Sequence, residues 1–137
     1  MQAPFASLCI VACMFVPLSA ALCVIEHRME IEAKLQSKLE KIFPEQSERE
    51  KATEVLAEYG KETYEQEPIR VRLAILKMAG PSIEKLHEFT SAAKGDFRDV
   101  LSWAEYPRQS KHWSATGAKK EKLVSADLNE YETWLNT

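Results

Sequence analysis

The segment PIRVRLAILKMAG, residues 68–80, decides how the rest of the chain is read. Pro68 suits the first turn of a helix, where its missing N–H would have had no carbonyl partner, and Gly80 followed by Pro81 ends one. Between them Ile69, Val71, Leu73, Ala74, Ile75, Leu76 and Met78 leave little room for a polar face. A helix that is apolar on nearly every side belongs in an interior, so this spacing predicts the most buried helix of an all-α domain.

On its N-terminal side, Ile31, Leu35, Leu39 and Ile42 recur at helical spacing among Glu and Lys, predicting an amphipathic helix over 30–43 that Pro44 stops. Ser47 with Glu50 has the spacing of a capping box. A second helix is expected over 48–59, with Ala52, Val55, Leu56 and Tyr59 inward and Gly60 as its left-handed terminus. The connection KETYEQE is polar. C-terminal to the central helix, Ser82 is placed to cap a fourth. Its stripe, Ile83, Leu86, Thr90, Ala93, Phe97, Val100, Leu101 and Ala104, keeps three-and-four spacing through Gly95, predicting one long helix to about Glu105. A loop and a last helix from about Lys120 follow, with Val124, Leu128, Tyr131 and Leu135 on one side and Trp134 beside them. The expected architecture is a compact bundle of about five helices over residues 29–137, preceded by an apolar segment over 1–28.

That apolar segment is of another kind. Of its first 25 residues 20 are apolar, no charge precedes Glu26, and it holds all three cysteines, Cys9, Cys13 and Cys23. Three readings stay open: a membrane anchor, a cleaved export signal with Ser19-Ala20-Ala21 at the cleavage site, or an upstream extension of a reading frame whose working start is Met29. If residues 1–25 are an anchor, the bases that follow them (Arg28, Lys34, Lys38, Lys41) keep the domain cytoplasmic, tethered to the inner membrane.

The motifs RVRLAILK (70–77) and DFRDVLSWAEYP (96–107) resemble a group of small, uncharacterised bacterial helical proteins with an R-V-R-L-A-x-L-K helix and a D-[FY]-R-D-V-L-x-W-A-E-Y-P segment. The resemblance covers most of 29–137 and implies a start near Met29. It brings no activity, cofactor or site residue with it.

Composition excludes several chemistries. Residues 29–137 contain no cysteine, and so no disulfide framework, thiolate metal site or cysteine nucleophile. Glu84 and His87 form one carboxylate–imidazole pair at i, i+3, where a di-iron bundle needs two pairs and further glutamates. His27 and His112 stand apart from it, so neither a metal site nor a cofactor is expected. The net charge of −3 speaks against a general nucleic-acid binder.

Two residue sets remain. Trp103, Tyr106, Arg108, Lys111, Trp113, Lys119 and Lys120 mix aromatics with bases in a stretch, 107–122, that holds five bases against one acid. Such a mixture suits a protein partner, and secondarily nucleic acid or an anionic surface. The other set, Arg70, Arg72, Asp96, Asp99 and Glu105, would form a ligand site or active site if the third and fourth helices brought its members together. The expected function is a non-enzymatic protein-interaction module using the first set, with a small-ligand binder or enzyme using the second as the alternative.

Overall fold

The computed structural model describes residues 16–137, with side chains from Leu22 onward. Seven helices and no strands occur among these residues: α1 (Val16–Ile42), α2 (Gln46–Ala57), α3 (Pro68–Ala79), α4 (Ile83–Gly95), α5 (Phe97–Glu105), α6 (Pro107–Lys111) and α7 (Gly117–Asn136). The chain divides between Ala33 and Lys34 into two units. Residues 1–15, which carry most of the anchor, signal and extension readings, lie outside the described residues. Among the described residues no helix is long and apolar enough to cross a membrane. α1 starts at Val16 rather than near Glu30, and Leu22, Val24, Ile25 and Met29 are exposed on it.

Within 34–137 the expectation for 68–80 holds. Val71, Leu73, Ala74, Ile75, Leu76 and Ala79 of α3 are all buried, and α3 packs against both α4 and α5. Leu86 of α4 and Val100 of α5 are fully buried with it, as are Leu39, Phe43, Leu56 and Tyr59. A large aliphatic or aromatic side chain so enclosed contributes about 1.5–3 kcal/mol relative to exposure, which is why α3 organises the bundle. Gly80 ends α3 with φ +58°, and Ser82 caps α4 by accepting from the Lys85 N–H at 3.3 Å.

Four expectations are corrected. The Ser47–Glu50 capping box does not form, because α2 begins at Gln46 and Arg49 instead fixes the turn by donating to the Phe43 and Pro44 carbonyls at 3.0 and 2.8 Å. The long fourth helix is two helices. Asp96, in extended backbone (φ −150°, ψ 105°), ends α4 and starts α5, where its carboxylate accepts from the Arg98 N–H at 3.0 Å. Asp is among the strongest N-caps, and here that local preference overrides an unbroken apolar stripe. The supposed loop after Pro107 opens with α6, and the last helix starts at Gly117, so the count is seven rather than about five. Finally, the face α7 buries is centred on Asp127, which is fully enclosed, whereas Leu128 is 45% exposed.

Candidate functional site

The three cations of RVRLAILK go to three different places. Arg70 grips Glu105 with two parallel hydrogen bonds, Nε to Oε1 at 2.8 Å and Nη2 to Oε2 at 2.7 Å, and its Nη1 donates to Glu67 Oε2 at 2.6 Å. These bonds raise the Arg70 pKa further above its ordinary value, Glu105 being the larger cause. Arg72 turns the other way and closes the C-terminus of α2, donating to the carbonyls of Leu56 (Nε, 3.1 Å) and Tyr59 (Nε, 3.1 Å; Nη2, 2.7 Å). Lys77 donates to the Ala104 carbonyl in the last turn of α5 at 2.6 Å and stands 5.4 Å from the centroid of the Tyr131 ring. Cations at helix C-termini satisfy carbonyls that have no partner within the helix and oppose the negative end of the dipole.

The set Arg70, Arg72, Asp96, Asp99 and Glu105 therefore does not converge. Arg70 and Glu105 meet, Arg72 serves α2, Asp96 caps α5, and Asp99 is exposed. The Arg98 guanidinium, bonded to Asp96 at 3.0 and 2.8 Å, and the Arg98 N–H hold the Asp96 carboxyl below the usual carboxylate range. Glu105 and Asp96 are taken up by Arg70 and Arg98, and the Arg72 guanidinium by backbone carbonyls.

Beside Asp96 an open cleft of about 390 Å³ runs between the α2–α3 connection and the α4–α5 junction, lined by Tyr59, Tyr64, Glu65 and Lys94 among others. Both of its carboxylates, Asp96 and Glu65, are in use. Glu65 Oε2 accepts from the N–H groups of Gly60 (2.6 Å) and Glu62 (3.2 Å); burial pushes this carboxyl up, and backbone donors outweigh it, so it stays below the usual range. Tyr59 donates its hydroxyl to the Gln66 carbonyl at 2.8 Å, which completes the fixing of this connection.

The aromatic and basic set is divided by one residue that sequence reasoning passed over. Asp127 of α7 accepts from the backbone N–H groups of Arg108 (3.1 Å to Oδ2) and Gln109 (3.0 Å to Oδ2), and from Arg108 Nη1 (2.9 Å to Oδ1). It caps α6 from outside that helix. Arg108 is also paired with Glu130 through Nη2 at 2.5 Å, so its guanidinium is committed to the fold. Tyr106, half-buried, is the joint between α5 and α6, its N–H bonded to the Ser102 carbonyl and its own carbonyl accepting from Ser110 N–H, each at 2.9 Å.

The others face outward. Trp113 is 85% exposed and Trp103 41%. Lys111, Lys119 and Lys120 are exposed and make no ion pair among the described residues. Trp103 and Lys111 help line a cleft of about 530 Å³ together with Lys77, Met78, Pro107, Ser110 and Glu130. Trp113, Lys119 and Lys120 are not part of its wall. Among the described residues, no group of three or more His, Cys, Asp or Glu side chains is placed to hold a metal ion. Comparison with protein-family models, curated proteins and solved structures finds no match to this chain.

Proposed function

We propose that this chain is a small non-enzymatic helical module that acts by binding another protein, with the surface over 103–122 as its contact region. The observation that carries this reading is Trp113: an indole 85% exposed, in a stretch where Lys111, Lys119 and Lys120 are exposed and make no ion pair among the described residues. Removing a large aromatic surface from water is among the strongest sources of interface energy. The charged groups that would otherwise suggest chemistry, Arg70, Arg72, Lys77, Glu105, Arg108 and Asp127, already have partners within the fold. The ligand-site alternative drew on convergence of Arg70, Arg72, Asp96, Asp99 and Glu105, and loses its support with their dispersal.

Replacing Trp113 with Ala and Lys119 and Lys120 with Glu in one chain is the test. A partner co-purified with the unaltered chain should be lost while circular dichroism is unchanged. Retention of the partner sinks the assignment. Nucleic-acid binding through the same lysines would instead show as affinity for DNA or RNA falling steeply with salt.

A further inference from the structure

We infer that the cleft walled by Met78, Trp103, Pro107 and Lys111 receives one large apolar side chain of an acidic linear segment in the partner, whose carboxylates lie along the exposed lysines of 111–122. The inference rests on the interaction reading above and adds the partner's chemistry.

Three observations converge on it. The cleft holds about 530 Å³, with Met78, Trp103 and Pro107 supplying its apolar walls, which suits a single anchoring side chain better than a flat contact. Its charged walls are occupied from within: Lys77 is bonded to the Ala104 carbonyl at 2.6 Å, and Glu130 to Arg108 at 2.5 Å. Glu130 thus faces the cleft as half of an ion pair, and Lys77 with its ammonium directed to a backbone carbonyl. Lys111 is the exception, exposed and without an ion pair among the described residues, and it stands at the wall. Further along the sequence Lys119, Lys120 and Lys122 are exposed, with Glu121 the one acid of 107–122.

The same inventory sets how an anionic segment is held. Arg108 is the one arginine of 107–122, and its guanidinium is held by Asp127 and Glu130. No fork-shaped donor in this stretch is left for bidentate anion recognition, so an anionic segment is met here by lysine ammonium groups acting as point charges. On a chain of net charge −3, the four exposed lysines of 107–122 against Glu121, with Arg108 neutralised by Asp127 and Glu130, also orient an acidic partner toward this face.

The test is selection of a random-peptide phage library on the full-length chain, followed by anisotropy titration of the consensus peptide carrying a fluorophore. Enriched peptides should place Asp or Glu beside a Trp, Phe or Leu. Affinity should fall about tenfold or more with Trp103→Ala, with Lys111→Glu, and with Ala at the peptide anchor. Lys111 is exposed, so Lys111→Glu leaves helicity intact and serves even if Trp103→Ala loosens α5. Enrichment of basic peptides, or of no consensus, overturns the inference. So does tighter binding of single-stranded RNA or phosphatidylserine vesicles at the same surface. A consensus peptide insensitive to Trp103→Ala and Lys111→Glu but lost on substitution of Trp113, Lys119 and Lys120 removes the cleft and leaves the interaction reading standing.

Discussion

Arg70 and Glu105 are joined by two parallel hydrogen bonds of 2.8 and 2.7 Å, tying the first turn of α3 to the last residue of α5, with the carboxylate side chain only 8% exposed. Arg70→Ala would leave that carboxylate buried without its counter-ion and should cost about 2–3 kcal/mol in chemical denaturation. Arg70→Lys should recover only part, since an ammonium cannot offer the two-pronged geometry. A double-mutant cycle with Glu105→Gln measures the coupling, and an interaction energy near zero would mean the pair contributes nothing.

Gly60 tolerates no side chain. Its φ is +101°, and a Cβ would lie 2.8 Å from Pro68 Cβ and 2.9 Å from Arg72 Nη2, the group that closes α2. Gly60→Ala should therefore destabilise by roughly 2 kcal/mol or more, combining left-handed backbone strain with displacement of the guanidinium. Thermal unfolding of Gly60→Ala beside Arg72→Ala tests this, with the glycine variant expected to be the worse of the two.

Gly95 should behave in the opposite way. It is helical, its φ is not in the left-handed region, and a Cβ there would meet nothing within 4 Å. Gly95→Ala is expected to stabilise by up to about 1 kcal/mol, while Asp96→Ala, next in sequence, should lose about 1 kcal/mol with the cap of α5. Equal and small effects at both positions would deny the break between α4 and α5 any energetic basis.

Asp127→Ala should release α6. Two backbone N–H groups and the Arg108 guanidinium lose their acceptor, for an expected cost of roughly 3 kcal/mol. Amide hydrogen exchange locates the damage: protection should drop at Ser110 and His112, whose N–H groups bond within α6, and persist at Leu76 and Val100 in the core.

Stability should fall on the alkaline side. Burial raises the Tyr131 phenol above its ordinary value of 10.0, and burial does the same to Tyr59. Above pH 10 the unfolded chain therefore sheds phenolic protons that the folded chain retains, so these groups' contribution is present below pH 10 and is lost as pH rises toward the folded values. Lys38 acts with the opposite sign: burial, then Lys41, lowers its pKa from 10.5, so rising pH relieves its cost. Tyr131→Phe should leave stability at pH 7 nearly unchanged and flatten the loss above pH 10 in urea titrations; an unaltered alkaline limb assigns that loss elsewhere.

How legible each element was depended on whether its signal was local. α3, its glycine end at Gly80, the left-handed backbone at Gly60 and the Ser82 cap were readable because each is written in adjacent residues, although α2 itself ends at Ala57, short of Gly60. The break at Asp96 was hidden by a stripe, Thr90, Ala93, Phe97, Val100, that continues in register across it. α6 is too short to show periodicity, and its cap comes from α7, nineteen positions from Arg108. Asp127 had one available sign: it lies between Val124 and Tyr131 at the spacing of that helix's apolar face, where a carboxylate is out of place unless donors meet it. Of the alternative site, the Arg70–Glu105 contact was foreseeable from complementary charge. The diversion of Arg72 to α2 was not, since free carbonyls at a helix end leave no mark in composition.

The hold of Asp127 on α6 also bears on recognition. Pro107, Ser110 and Lys111, which form one side of the apolar cleft, all belong to a five-residue helix too short to persist alone. Because α7 already immobilises that helix, a ligand entering the cleft need not order it. In the proposed docking mode a residue outside the contact surface would thereby set the entropy of binding: relaxing Asp127 should weaken association by softening the receptor while leaving every proposed contact residue in place.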